Sequence, residues 1–294
     1  MRVSEQMRYD SVTNNLSQLS ARQAKAALEA QTGVRVNLPS DDPVAAAQLA
    51  RLAASQSQTA TRRSTINTVK GDAELAESSL QQASDLMANA KELAMQGGNG
   101  TLGATERASL ALQVKDLKDQ LIGVANTKGS TGYLFGGSAT DTRPFDTTGT
   151  FSGNDDDHVV DIGNSTPTAV NASGAKAFTV AGAGGRDVFA DLDALYTALN
   201  NNDATGITAS LDGLDKSRAQ ITTAQASVGI TLNKLDASDS VLSNLDLMNS
   251  KSIDEVGNTD PAKAYSNLTQ LNNSLQQSVT VAKSILDLAS FKQF

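Results

Sequence analysis

The stretch Ala264 to Ala282, AYSNLTQLNNSLQQSVTVA, runs nineteen residues between Lys263 and Lys283 without one charge. Its apolar residues fall on one face. Leu268, Leu271, Leu275, Val279, Ala282, Ile285 and Ala289 recur at steps of three and four, the spacing of a helical stripe. The opposite face carries Asn, Gln, Ser and Thr where an ordinary surface helix would carry Lys and Glu. An amide can be buried once it finds a hydrogen bond, whereas a charge can rarely be buried without a partner. A helix that is polar but uncharged on its back is suited to touching protein on more than one side.

A matching stretch lies at the other end. Ser11 to Ala21, SVTNNLSQLSA, is also free of charge, and Val12, Leu16 and Leu19, followed by Ala24 or Leu28, keep helical spacing. The two termini are expected to pair. A lone helix of this length is marginal in water, so each needs something packed on it. Neighbouring copies are expected among the packing partners, with Val12, Leu16, Leu19, Leu28, Leu268, Leu271, Leu275, Val279 and Ile285 as candidate subunit-packing residues. The alternative is that both helices simply close one monomeric bundle.

The chain of 294 residues is long enough for a sizeable core and two or three domains. With no Trp, seven Phe and four Tyr, that core must rest on Leu, Ile, Val and Ala, which suits long thin helices better than a compact globule. The absence of Cys excludes disulfides and thiolate metal sites. A net charge of −8 argues against nucleic-acid binding through a basic face. MRVSEQMRYDSVTNN lacks the apolar run of a secretory signal, and no later stretch is apolar enough to span a bilayer, so export is expected by another route and membrane insertion is not.

In chain order, a first helix is predicted to about residue 31, ending near Gly33, which suits a left-handed C-cap. After VRVNLPS comes the motif Ser40-Asp41-Asp42-Pro43, a helix start in which Ser or Asp caps bare N–H groups and Pro occupies the first turn. A helix of about fifty residues, roughly 75 Å, follows to about Gln96. Its seam, Ile66, Val69, Ala73, Ala76, Leu80, Ala83, Met87, Ala90 and Ala94, alternates steps of three and four as a coiled coil does. Leu75, Leu86 and Leu93 form a second stripe, which places this helix inside a bundle. GGNG at 97–100 breaks it. A second helix is predicted from about Ala104 to Thr127, with Leu110, Val114, Leu117, Leu121 and Val124 on its seam. A third runs from about Ile207 to Asn249, where Arg218, Gln225 and Asp239 interrupt the apolar alternation and either fix register or face the solvent.

Residues 133–186 turn to Gly, Asp, Thr and Val, with strand-like pieces at 133–135, 149–151, 158–162, 168–171 and 177–180. Asp187 to Asn200 then reads as a short amphipathic helix. The predicted fold class is mainly α, an elongated coiled-coil or helical-bundle rod with paired N- and C-terminal helices and a small β-rich inserted domain. The expected divisions are 1–42 plus 255–294 as the terminal pair, 43–132 plus 187–254 as the long bundle, and 133–186 as the β-rich part.

Catalytic chemistry finds little support. His158 is the only histidine, which excludes a two-histidine metal motif, and it reads best as a solvated residue of a hairpin. Asn154-Asp155-Asp156-Asp157 lacks the spaced Gly and Glu of a calcium loop and reads as an acidic turn. Gly182 to Arg186 lacks phosphate-cradle spacing and reads as a flexible return linker. Matches to the N-glycosylation pattern, among them those at Asn164, Asn171, Asn267 and Asn272, are expected by chance in so Ser-, Thr- and Asn-rich a chain. No catalytic residue, metal site or cofactor is expected. The chemistry is association.

Several segments resemble the bacterial flagellin family. They are Met1-Arg2-Val3-Ser4, Gly33-Val34-Arg35-Val36-Asn37, Pro39-Ser40-Asp41-Asp42-Pro43-Val44-Ala45-Ala46-Ala47, Gly132 to Gly137, Thr150 to Gly153, Val159 to Gly163 and the final Ala289 to Phe294. Filament flagellins usually read Asp-Asp-Ala-Ala-Gly after the loop and start with a run like Ile-Asn-Thr-Asn. Asp42-Pro43-Val44 and Arg2-Val3-Ser4 instead resemble the member at the hook-filament junction. That resemblance implies a structural adaptor whose terminal pair lines an inner tube of identical subunits and whose β domain faces outward. Its partners would be another hook-associated protein and flagellin. It further implies export by the flagellar type III apparatus and a chaperone on the C-terminal helix. The other readings are filament flagellin itself and, from a different class, a small hydrolase or adhesin on the β insert, with His158 beside Asp157 or Asp161 as its best case.

Overall fold

In a computed structural model, residues 2–163 and 168–290 are described, and side chains at 6, 7, 9–163 and 168–284. The described residues form helices α1 (Arg2–Thr32), α2 (Pro43–Gly97), α3 (Ala104–Ala125), α4 (Gly174–Phe178), α5 (Val188–Asn200), α6 (Ala204–Gly257) and α7 (Pro261–Ser290). Strands β1 (Val159–Val160) and β2 (Thr168–Ala169) pair antiparallel, with Val159 opposite Ala169. Two compact units emerge, Met1–Gln58 with Leu245–Phe294, and Thr59–Asn244.

The second unit is built on the predicted seams. All nine positions from Ile66 to Ala94 on α2 are buried, as are Ile207, Leu214, Ile221, Val228, Leu235 and Leu242 of α6. Each large aliphatic among them removes enough apolar surface from water for about 1.5–3 kcal/mol. On α3, Val114, Leu121 and Val124 are buried while Leu110 and Leu117 are partly so. Leu86 and Leu93 join this core but Leu75 stays exposed, so the second stripe of α2 is shorter than predicted. The interruptions on α6 set register. Arg218 donates to Ser84 (3.2 Å), Gln225 to Gln81 (3.1 Å), and Asp239 accepts from Arg63 (2.8 Å), each bond crossing from α6 to α2.

Between α3 and α5 the sheet is far smaller than the five strand-like pieces suggest. Among the described residues only 159–160 and 168–169 form strands, while Tyr133 and Phe151 make single bridges to Lys128 and Phe145. Side chains take the place of a ladder here, as short polar residues often do. Asp72 accepts from Ser130 N (2.7 Å) and Thr131 Oγ1 (2.6 Å), and Asn126 brackets Phe145 by bonding both its N–H (3.0 Å) and its carbonyl (3.0 Å). The piece at 177–180 is no strand. Ser173 accepts from Lys176 N (3.1 Å) and so starts α4, which carries Phe178 inward. Gly174 permits this, because a Cβ there would overlap the Phe135 carbonyl oxygen.

Phe135, Phe145, Phe151, Phe178 and Phe189 form one aromatic cluster, with ring centroids 5.0–6.0 Å apart. Nor is Gly182 to Arg186 a free linker. Buried Gln220 donates to Thr179 O (2.8 Å) and Arg186 O (3.0 Å) and accepts from Arg186 N (3.1 Å), which ties the return to α6. Asp187 caps α5 through Phe189 N and Ala190 N, both 3.0 Å.

Candidate assembly interface

In the first unit α1 and α7 lie against each other. The seam on α1 runs Val12, Leu16, Leu19, Gln23, Ala26 and Ala30, at alternating steps of four and three. On α7 it runs Ala264, Leu268, Leu271, Leu275, Ser278 and Ala282 at the same steps. Ala26, Ala264 and Ala282 are buried, and Gln23 donates to Asn272 across the pair (3.0 Å). The leucines are another matter. Leu16, Leu19, Leu268, Leu271 and Leu275 are only half-buried, although they form the centre of the seam.

Seven of the nine candidate packing residues, Val12, Leu16, Leu19, Leu268, Leu271, Leu275 and Ile285, sit at or beside that seam by register, and the Ile285 side chain lies outside the described residues. Leu28 (42 % exposed) and Val279 (38 % exposed) point away from it. Gln23, Ala26 and Ser278, which the apolar pattern alone passes over, hold the places that Ala24, Leu28 and Val279 were expected to take. Continuing the four-three count through a polar residue would have found them.

The link from α1 to α2 is a built structure. Gly33 adopts φ +72° and donates to Glu29 O (2.9 Å), the left-handed close expected at a helix end. Of the motif Ser40-Asp41-Asp42-Pro43, Asp42 is the cap of α2, accepting from Ala45 N (3.0 Å), with Pro43 as the first helical residue. Asp41 turns back, accepting from Asn37 N (3.1 Å) and Leu38 N (2.9 Å) and pairing with Lys25 of α1 (3.0 Å). Ser40 is exposed. Arg35 joins Asp42 (3.0 Å) to the Val256 carbonyl (2.8 Å), one of the bare acceptors at the end of α6. Val34 pairs with Asn258 and Thr259 N donates to Gly33 O (2.9 Å), so the α1–α2 and α6–α7 connections are stitched together.

The Lys25 ammonium holds the Asp41 carboxyl below the usual carboxylate range, and donation from Ala45 N does the same for Asp42. A depressed carboxyl stabilises the fold above its unfolded pKa, about 3.9, and that contribution is lost as pH falls through the lower folded value. Asp42→Asn, which keeps the cap acceptor and removes the charge, is expected to melt somewhat below the parent at neutral pH and to converge on it as the pH falls through the depressed folded value. Asp42→Ala melts lower at every pH. Thermal unfolding followed across pH 2 to 7 checks both, and equal melting of the two variants would contradict the cap assignment.

Elsewhere the described residues hold no group of three or more His, Asp or Glu able to take a metal. Asp155 pairs with Ser173 and Lys176, Asn154 accepts from Ser138 N (2.8 Å), and His158 is exposed with its N–H on Asn171 (2.9 Å). No described helix is long and apolar enough to cross a membrane.

Residues 3–140 match the family model for the bacterial flagellin N-terminal helical region. The chain is 31 % identical over 316 aligned positions to flagellar hook-associated protein 3 of Escherichia coli K12, covering 99 % of each. It is also 31 % identical to flagellar hook-associated protein 3 of Salmonella typhimurium, over 82 % of this chain and 83 % of that one. A flagellar hook-associated protein of Vibrio parahaemolyticus superposes with a TM-score of 0.68 at 26 % identity, covering 74 % of this chain and all of the other.

Proposed function

The chain belongs to the flagellar hook-associated protein 3 family, and from that premise we propose how its two ends carry out the work of that family. The protein is a structural adaptor of the bacterial flagellum, at the junction between hook and filament. Likeness along the whole length to hook-associated relatives, rather than to filament subunits, selects this role over that of a bulk flagellin.

The α1–α7 pair is the packing device. A single observation carries this reading: the seam leucines remain half-buried within one chain while the helices around them carry no charge between 11 and 21 or between 264 and 282. Half-covered leucine and neutral amides on a two-helix pair leave surface for further helices to complete. Identical copies supply those helices in a ring or tube, which joins another hook-associated protein on one side and flagellin on the other. Export through the flagellar type III apparatus and a chaperone on α7 before export accord with the family and with a C-terminal helix that is incomplete alone. The adaptor has no catalytic step.

Amide hydrogen exchange tests the proposal. In dilute monomer, amides of 264–282 are expected to exchange much faster than those of 66–94, and to become protected when the chain is incorporated into flagella. Equal, strong protection of both segments in dilute monomer would overturn it. His158→Ala should leave incorporation unchanged, whereas a hydrolase on this insert would lose its activity.

A further inference from the structure

Two surfaces of the second unit carry features that its own core does not use. The first is a groove between α2 and α3. Leu93 and Leu117 floor it partly buried, Leu112 stands 65 % exposed on its rim, and Glu92 and Asp116 face it. Among the described residues neither acid has an ion pair, although Asp116 accepts from Gln120 (2.8 Å). The neighbouring acids behave differently, since Asp215 is held by Lys91 and Asp193 by Lys118, both at 2.7 Å.

The second surface is the outward face of α6. Ile230, Lys234, Ala237 and Val241 follow one another at steps of four, three and four, and so share one stripe. Ile230 is 57 % and Val241 66 % exposed. Asp236 and Asp239, the acids nearest Lys234 in sequence, are turned to Lys70 (2.5 Å) and Arg63 (2.8 Å) of α2. Lys234, with no ion pair among the described residues, is left as the charge of an apolar ridge.

We infer that the α2–α3 groove of one chain seats the α6 ridge of a second copy, Lys234 meeting Glu92 and Asp116 while Ile230 and Val241 cover Leu112 and Leu93. The argument is charge complementarity. Two carboxylates without an ion pair among the described residues border a groove two helical turns long, where Leu93, Leu112 and Leu117 lie among the neutral polar side chains of Asn89, Gln96, Ser109 and Gln113, and one such ammonium stands between two exposed apolar side chains on a ridge of similar length. The two patches differ, so the contact is heterologous and propagates from copy to copy, as a ring or tube requires. A patch of this size falls below the area of a stable complex by itself and gains its strength from repetition. The inference rests on the reading of the chain as a self-packing subunit, but it uses residues outside the terminal pair.

The chain has no cysteine, so engineered pairs report without background. With Ser109→Cys and Ala237→Cys on one chain, made as the sole copy, mild oxidation of isolated flagella is expected to give a disulfide-linked ladder of this chain, absent from either single variant. Linkage to a protein of different mass, or no ladder from incorporated double variant, overturns the inference. Charge exchange is the second measurement. Lys234→Glu is expected to lower incorporation about tenfold, and adding Asp116→Lys to restore it to within about twofold. An unchanged Lys234→Glu chain, or a loss that Asp116→Lys deepens, also overturns it. If Leu271→Asp still incorporates, the terminal-pair reading fails separately, and the charge exchange continues to judge the groove alone.

Discussion

A Leu271→Asp chain keeps most of its helical signal and does not enter flagella. Leu271 lies at the centre of the α7 seam, half-buried against α1, with the nearest charges of its helix at Lys263 and Lys283. A carboxylate there has no cation within two turns along its own helix, and placing it in the half-buried seam opposes the packing of α7 on α1. The unit Thr59–Asn244 has its own buried seams and aromatic cluster, which Leu271 does not join, so circular dichroism of the monomer keeps the larger part of its helical signal. Leu275→Asp should behave alike. Val279→Asp separates the two possible causes. Val279 lies off the α1 seam, so a charge there leaves the pair formed and blocks incorporation only if another copy covers that face. Counting junctions on isolated flagella checks all three. Incorporation of Leu271→Asp, or loss of the whole fold, would defeat the division of labour between the units.

How much of this was legible beforehand depended on which side chains do the holding. Long apolar seams read well, because nine positions from Ile66 to Ala94 repeat one spacing and no tertiary effect competes with it. The terminal seam read less well. Gln23 and Ser278 sit at seam positions that an apolar count skips, since an amide paired to Asn272 or a small hydroxyl fills a close helix pair as well as a methyl group does. The insert read worst. Ala177 to Val180 has strand composition, yet the Ser173 cap and the close approach at Gly174 make 174–178 helical, and only the fold brings Phe135 and Phe178 together. Likewise Asp41 and Asp42 were recognisable as a helix start, but their links to Lys25 and Arg35 depend on how the chain returns at Gly257.

The largest loss of stability in the second unit is expected from Phe145→Ala. Phe145 is fully buried, and its ring lies 5.0 Å from Phe151, 5.3 Å from Phe189 and 5.5 Å from Phe178, the last edge-on. Removing the ring forfeits its transfer energy and leaves a cavity, together about 3–5 kcal/mol. The high end of that range is expected, because the neighbours cannot close in. Asn126 grips the backbone of residue 145 on both sides, and the facing Phe178 is carried on a short helix whose start is pinned by Ser173. Marginal stability makes such a loss visible: for a unit of this size it lowers the melting temperature by roughly 6–20 °C. Phe145→Leu keeps much of the volume and should cost less than half as much. Denaturant unfolding of both variants measures the difference. A Phe145→Ala cost below about 1 kcal/mol would mean that the cluster collapses freely, and that the insert, rather than being fixed by its aromatic centre, is held by its polar turns alone.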